Sequence, residues 1–155
     1  MGLSAIKYGD LSNQASKDYV FDVDRFTSFE GDTGPYILYT IVRIKSILNR
    51  FTQDGGSLEE GQIKEAVSES EKALMLELTR FNSVVENAFE EKAPHKICGY
   101  IYDLANDFNH FYHETKILSE EKKEQKASWI HLLLLTRDVL ETSIDLLGFS
   151  APERM

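Results

Sequence analysis

The sequence predicts an all-α domain, a helical bundle preceded by a short extended segment. Apolar residues recur at steps of three and four along four segments after residue 34, and none of these segments shows the alternation typical of a strand. With 155 residues, of which 42% are hydrophobic, the chain is long and apolar enough to fold around one core.

The first long helix is expected to begin after Asp32 and Thr33, either of which can cap it. Pro35 lies near the first helical position, where its missing N–H does no harm. Residues 54–56, Asp-Gly-Gly, follow its end. The apolar face that we expect to enter the core consists of Ile37, Ile41, Ile44, Leu48 and Phe51.

A second stripe runs beside this apolar face at the same spacing. It consists of Tyr36, Tyr39, Arg43, Ser46 and Arg50. Tyrosine rings can stack on unstacked bases and arginines attract phosphates, so the stripe points to single-stranded RNA. The alternative is that the tyrosines are half-buried amphipathic residues whose hydroxyls reach water.

The middle of the chain contains a further periodic run. Ser57 is expected to start a short helix, and a longer run extends from Leu74 to Ala88. Asn82 and Ser83 favour caps and turns, so we expect this run to break there into two helices.

Two more helices complete the predicted bundle. One starts near Pro94 and the other near Ser119, and Gly148 ends the second. The positions expected to be buried are Ile97, Ile101, Leu104, Phe108 and Phe111 in the first, and Trp129, Leu132, Leu133, Thr136, Leu140, Ile144 and Leu147 in the second.

Residues 1–28 differ from the rest, because Tyr19–Val23 is a short β-prone stretch among charged and small residues. We expect this segment to be an extended connector from a larger protein. The predicted organisation is therefore a connector over residues 1–28 and a helical domain over residues 29–155.

The charge and composition limit the possible partners. A net charge of −9 argues against general affinity for nucleic acids, DNA included, so any RNA contact must be local. No apolar run approaches the ~18 residues of a membrane span, and the N-terminus lacks the apolar region of a signal peptide. We therefore expect no membrane partner and a cytoplasmic location. Cys98, the single cysteine, is expected to be a buried, inert thiol.

Several stretches resemble, in order, the C-terminal anticodon-binding domain of arginyl-tRNA synthetases, which are class I aminoacyl-tRNA synthetases. The matching stretches are AIKYGDLS (5–12), KDYVFDVDR (17–25), FEGDTGPY (29–36), EKALMLELTRF (71–81), APHKICGYIYDLANDFNHFYH (93–113) and LGFSAPERM (147–155).

This resemblance implies a helical domain of the DALR type that grips the anticodon loop of arginine tRNA, while the catalytic body of the same enzyme attaches arginine. The HIGH and KMSKS motifs of class I catalytic domains do not occur here, so we predict no catalytic residue and no activity of this chain alone. No cofactor is expected in this chain, and ATP and Mg²⁺ would act in the full-length enzyme. The alternative is a helical protein-interaction module without RNA binding.

The resemblance also suggests which residues contact tRNA. Tyr39 and Tyr112 match family positions associated with loop bases, Arg43 follows Tyr39 by one turn, and Met155 matches a terminal residue that packs in the loop-binding site. The other candidates are Tyr36, His113, Lys116 and Arg154.

Two other patterns are given structural interpretations. His110 and His113 can share a helix face, but no third histidine or thiolate has supporting spacing, so we predict no metal site. The turn at residues 31–34 lacks the lysine and the spacing of a phosphate-binding loop, and we interpret it as the entry to the first long helix.

Overall fold

The computed structural model describes residues 1–155 and contains seven helices and no strand, which confirms the all-α prediction. None of the helices has the length and apolar composition needed to cross a membrane. The helices are α1 (Gly2–Leu11), α2 (Val23–Thr27), α3 (Gly34–Gln53), α4 (Glu69–Thr79), α5 (Phe81–Glu90), α6 (His95–Glu114) and α7 (Lys123–Leu146).

Helix α3 lies at the centre of the bundle, where it packs against α1, α6 and α7. The predicted apolar stripe faces the core: four of its residues are buried and Phe51 is partly buried. Thr33 rather than Asp32 caps the helix, because its hydroxyl accepts a hydrogen bond from the backbone N–H of Tyr36 at 3.1 Å. This orientation leaves the second stripe of α3 facing the end of α6.

Helices α6 and α7 bury all the positions expected from their periodicity. Gly148 ends the second helix in the left-handed conformation, with φ of 85°. The prediction that α7 begins near Ser119 is wrong, since the helix begins at Lys123. Ile117 is 4% exposed, so the α6–α7 connection is drawn into the core as a loop before α7 begins.

The run from Leu74 to Ala88 does break into two helices, but at Arg80 instead of Asn82 and Ser83. The hydroxyl of Tyr100 on α6 donates to the carbonyl oxygen of Glu77 at 2.8 Å. This tertiary contact satisfies a carbonyl at the end of α4, which local propensity could not reveal.

The short helix expected at Ser57 is absent, and residues 57–67 form a loop. The loop is held against α7, where the N–H of Lys64 donates to the hydroxyl of Ser128 at 2.8 Å. Gly61 adopts φ of 105° and approaches Ala127 so closely that a Cβ would lie 2.6 Å from that side chain. The left-handed backbone of Gly61 and the contact of the loop with α7 are therefore found where the sequence suggested a short helix.

The prediction of an extended connector is correct only for the residues around Tyr19–Phe21. The remainder of residues 1–28 contains α1 and α2. Helix α1 has little amphipathic pattern and includes two glycines, so its sequence gives a weak helical signal. It forms because it docks on α3: the side chain of Tyr8 is wholly buried within the core.

Gly34, the first residue of α3, makes the close approach of α1 possible. A Cβ at this position would overlap the backbone carbonyl of Ser4 and would come within 3.0 Å of the Cβ of Tyr8. The hydroxyl of Tyr8 then lies between the carboxylate of Asp32 and the carbonyl oxygen of Cys98, the latter at 2.9 Å. Burial, followed by the neighbouring Asp32 charge, raises the pKa of Tyr8.

Cys98 is buried, as expected. Burial is the main reason that the pKa of its thiol rises to about 12, so the thiol is protonated at neutral pH.

The start of α4 contains a buried carboxylate. Glu71 is fully buried, and its carboxylate accepts a hydrogen bond from the N–H of Val67 at 2.9 Å, while the hydroxyl of Ser68 accepts from the N–H of Glu71. This is a capping arrangement at the start of α4.

Replacing Gly34 by alanine is expected to destabilise the fold by about 1–3 kcal/mol, because the added methyl group must push α1 away from α3. Gly99 on α6 offers a matched control, since a Cβ there meets nothing within 4 Å. Gly99→Ala is expected to stabilise the protein by about 0.5–1 kcal/mol. Urea denaturation measures both free energies of unfolding, and effects of the same sign would contradict this account of the α1–α3 contact.

Candidate functional site

An open groove of about 730 Å³ lies between α3, the end of α6 and the α6–α7 connection, and the last residue of the chain forms part of its wall. We call it the α3–α6 groove. The predicted site residues that line it are Tyr39, Arg43, Tyr112, His113, Lys116 and Met155. The structure therefore brings six of the eight candidate residues together, from three separate parts of the sequence.

Arg43 occupies the centre of this arrangement. The carbon of its guanidinium group lies 4.8 Å from the ring centroid of Tyr39 and 4.8 Å from that of Tyr112. Its Nη2 also donates to the hydroxyl of Tyr39 at 3.1 Å. Such cation–π contacts hold both rings next to one charge and fix their spacing.

The surroundings of the two rings differ. Tyr39 is 42% exposed and meets the edge of Phe29, with centroids 6.3 Å apart. Tyr112 is partly buried and packs on the core residue Phe108, with centroids 6.2 Å apart. Tyr39 thus presents the larger free aromatic surface, whereas Tyr112 joins the groove to the core.

Asn109 on α6 holds Arg43 in place and was not identified from the sequence. Its Oδ1 accepts a hydrogen bond from Nη1 of Arg43 at 2.6 Å. Its Nδ2 donates to the hydroxyls of Tyr36 and Thr40, each at 3.0 Å. Asparagine is unfavourable inside a helix unless it makes a specific polar contact, so its position in α6 was the available signal.

Tyr36 does not line the groove, although it belongs to the second stripe. Its hydroxyl donates to Oδ1 of Asn106 at 2.7 Å, and its ring meets the edge of Tyr102. Burial raises the pKa of Tyr36, although the hydrogen bond from Asn109 opposes this shift. Tyr36 therefore joins α3 to α6 beside the groove. Arg154 is the other candidate residue that does not line the groove.

The groove differs in charge from the rest of the protein. None of its 14 lining residues is acidic, although the chain contains 26 acidic residues. Its cations are Arg43, Arg50 and Lys116, and neither Arg50 nor Lys116 forms an ion pair. Local positive charge in an acidic protein can attract an anion to this one place.

The remaining lining combines apolar and hydroxyl groups. Val42, Ile47, Ile117 and Leu118 supply apolar surface, and three hydroxyl-bearing residues, Ser46, Thr115 and Ser119, add groups that can donate or accept hydrogen bonds. The arrangement can bind a flat, polar ligand that carries negative charge. Ser46 and Arg50 belong to the second stripe identified from the sequence, whereas Thr115 and Ser119 lie in the α6–α7 connection and were not identified.

The two histidines have different surroundings. His113 lines the groove, and its ring contacts that of Tyr112 with centroids 5.5 Å apart. His110 lies 3.3 Å from Glu114 on the exposed side of α6. They do not converge on one position.

Comparison with known proteins places these features in a family. Residues 37–155 match the DALR anticodon binding domain. Over its whole length the chain is 64% identical to an arginine–tRNA ligase of Agathobacter rectalis and 60% identical to that of Alkaliphilus oremlandii, covering 26% of each. The chain therefore spans about a quarter of the length of these curated relatives.

Solved structures agree with this similarity. Arginyl-tRNA synthetase of Thermus thermophilus superposes with a TM-score of 0.85 at 32% identity, over 99% of this chain and 26% of that one. The enzyme of Plasmodium falciparum superposes with a TM-score of 0.79 at 31% identity, over 99% of this chain and 27% of that one.

Replacing Asn109 by alanine is expected to lower the free energy of unfolding by about 1–3 kcal/mol, because the change removes three hydrogen bonds between α6 and α3, those to Arg43, Tyr36 and Thr40. Asn106→Ala removes a single hydrogen bond at an exposed position of the same helix, and a change within about 0.5 kcal/mol is expected. Chemical denaturation of the two variants provides the comparison, and equal losses would show that Asn109 does not organise the groove.

Proposed function

The chain belongs to the DALR anticodon binding domain family in the form found in arginine–tRNA ligases, and from this we propose that the α3–α6 groove binds the anticodon loop of arginine tRNA. The observation that carries the proposal is the Tyr39–Arg43–Tyr112 arrangement inside a groove without acidic residues. It combines aromatic surface with positive charge, as recognition of single-stranded RNA requires.

Base stacking is the first part of the proposed interaction. Tyr39 presents an exposed ring whose position is fixed by Arg43 on one side and by the edge of Phe29. An unpaired base can stack on such a ring with little further ordering of the protein, and stacking contributes about 1–3 kcal/mol per base. Tyr112 supports the arrangement and contributes a partly covered ring.

Recognition of cytosine is the second part. Codons for arginine share G at the middle position, so their tRNAs share a middle anticodon cytosine. Its amino group donates hydrogen bonds, and its ring nitrogen and carbonyl oxygen accept them. The hydroxyls of Ser46, Thr115 and Ser119 can serve both kinds of group, because a hydroxyl donates one hydrogen bond and also accepts.

Phosphate attraction is the third part of the proposed interaction. We assign it to the cations that form no ion pair. Arg43 donates to Asn109 and Tyr39, so its main role in this proposal is to hold the rings. Arg50 and Lys116 have no acidic partner and lie on opposite sides of the groove, on α3 and beyond the end of α6. They are the residues that we assign to the RNA backbone.

Ligation of arginine, with its ATP and Mg²⁺, belongs in this proposal to the full-length enzyme. Residues 1–28 would lead to its catalytic body, although α1 also packs against α3. The outer side of α1 supports a contact with that body, because Leu3 is 57% exposed and Ile6 is 52% exposed. Such side chains are commonly covered by another domain in a longer protein.

Titration of the 155-residue chain with an anticodon stem-loop of arginine tRNA tests the proposal. We expect binding that weakens when the middle cytosine is replaced by another base. Tyr39→Ala is expected to weaken binding by about 5- to 150-fold, which corresponds to loss of one stacked base.

Phe89→Ala is the matched control for this substitution. Phe89 is an aromatic residue on α5 that is 86% exposed and outside the groove, so its removal is expected to leave binding unchanged. Equal affinity for loops with and without the middle cytosine would refute the proposed specificity. The absence of any stem-loop binding would favour a protein-interaction module instead.

Salt dependence separates phosphate attraction from base recognition. Lys116→Gln is expected to weaken binding to both loops by the same factor and to reduce the slope of log K against log salt concentration by about 1. Lys72 on α4 is exposed, lies outside the groove and has no ion pair, so Lys72→Gln should preserve the slope. An unchanged slope for Lys116→Gln would remove this lysine from the RNA backbone contact.

A further inference from the structure

The last six residues of the chain have almost no polar attachment to the rest of the protein. No backbone hydrogen bond involves residues 150–155, and the final one in the chain joins Phe149 to Ile144. The single side-chain hydrogen bond of these residues is accepted by Oε1 of Glu153 from Nζ of Lys45, at 2.8 Å. Yet Met155, two residues further, lines the α3–α6 groove. One ion pair therefore connects the tail to α3 immediately before the residue that reaches the groove.

Lys45 is suited to hold this segment. Its side chain is only 11% exposed, and its ammonium group lies 2.8 Å from Glu141 on α7 as well as 2.8 Å from Glu153. Burial lowers the pKa of Lys45, but the hydrogen bonds to Glu141 and Glu153 outweigh that effect and keep the pKa above its ordinary value. The lysine is thus charged, anchored on α7, and available to the tail.

We propose that Lys45 is a positioning residue that, through Glu153, keeps Met155 in the wall of the groove before RNA arrives. This inference rests on the proposed function, because its benefit is affinity for the anticodon loop. Lys45 is not part of the groove lining, so it acts without touching the ligand. A tail already in place need not be ordered during binding, and that ordering would otherwise reduce affinity.

The two glutamates that bind Lys45 provide a matched pair of variants. Glu153→Gln removes the ion pair that attaches the tail and leaves at most a weaker, neutral hydrogen bond, while Lys45 keeps Glu141 and the fold is preserved. Glu141→Gln removes the same charge from the same lysine but leaves the tail attached. By charge alone, either change should strengthen binding to an anionic RNA. If Glu153 positions Met155, Glu153→Gln is expected to have the opposite effect and to weaken RNA binding by about two- to fivefold. This is the range expected for loss of one surface ion pair.

The first measurement compares binding of the anticodon stem-loop by the wild type and both variants, with and without Met155. We expect Glu153→Gln to weaken binding only when Met155 is present, and Glu141→Gln not to weaken it. Equal effects of the two variants would overturn the proposal. So would a loss for Glu153→Gln that persists after Met155 is deleted.

The second measurement needs no RNA. Heteronuclear NOE values for the backbone amides of residues 153–155 should fall in Glu153→Gln and remain high in the wild type and in Glu141→Gln. Unchanged values would overturn the attachment itself. If the NOE values fall as expected but no variant binds the stem-loop, the attachment stands and the proposed RNA function fails, so the two failures can be told apart.

Discussion

The hydrogen bond from Arg43 to Asn109 is the contact on which the groove depends, because it joins the second stripe of α3 to α6. Asn109 has no freedom to move away, since its amide also donates to Tyr36 and Thr40 on α3. With the guanidinium group fixed, Tyr39 and Tyr112 are held at equal distances from it. A polar network of this kind is most stable when each member has its partner, and here the hydrogen bonds within the protein are enough to hold the rings in position.

This network in turn requires α3 to be fixed from its other sides. The apolar stripe of α3 enters the core and α7 packs along it, while α1 covers its beginning through the close contact at Gly34. Rotation of α3 by one residue would move the core stripe outward and the groove stripe inward, at a cost in buried apolar area that the bundle could not recover. The same packing that stabilises the fold therefore determines which tyrosines face the groove.

Periodicity was sufficient to predict the four main segments because each repeats apolar residues at steps of three and four over several turns, and it located Gly148 correctly. It failed where tertiary contacts decide: α1 has little pattern of its own, and the loop after Ser57 follows α7. For the site, the helical pattern and the family resemblance together named eight residues that line the groove, six of them as candidate tRNA contacts and Ser46 and Arg50 as members of the second stripe. Asn109 was not identified from the sequence. The only sign there of its hydrogen bonds to α3 is a polar residue inside a helix, and that is a weak signal.

The structure also changes the role expected for Arg43. A cation that attracts phosphate needs free N–H groups directed to solvent, but two nitrogens of Arg43 are bound to Asn109 and Tyr39, and rings lie close on two sides. Its charge still contributes to the local potential, yet its geometry serves to hold the aromatic surfaces. In the proposed function, phosphate contact is therefore assigned to Arg50 and Lys116, which line the groove and form no ion pair. Under that proposal the two tasks are separate: a hydrogen-bonded network holds the aromatic rings of an acidic protein, while side chains without an ion pair are available to phosphates.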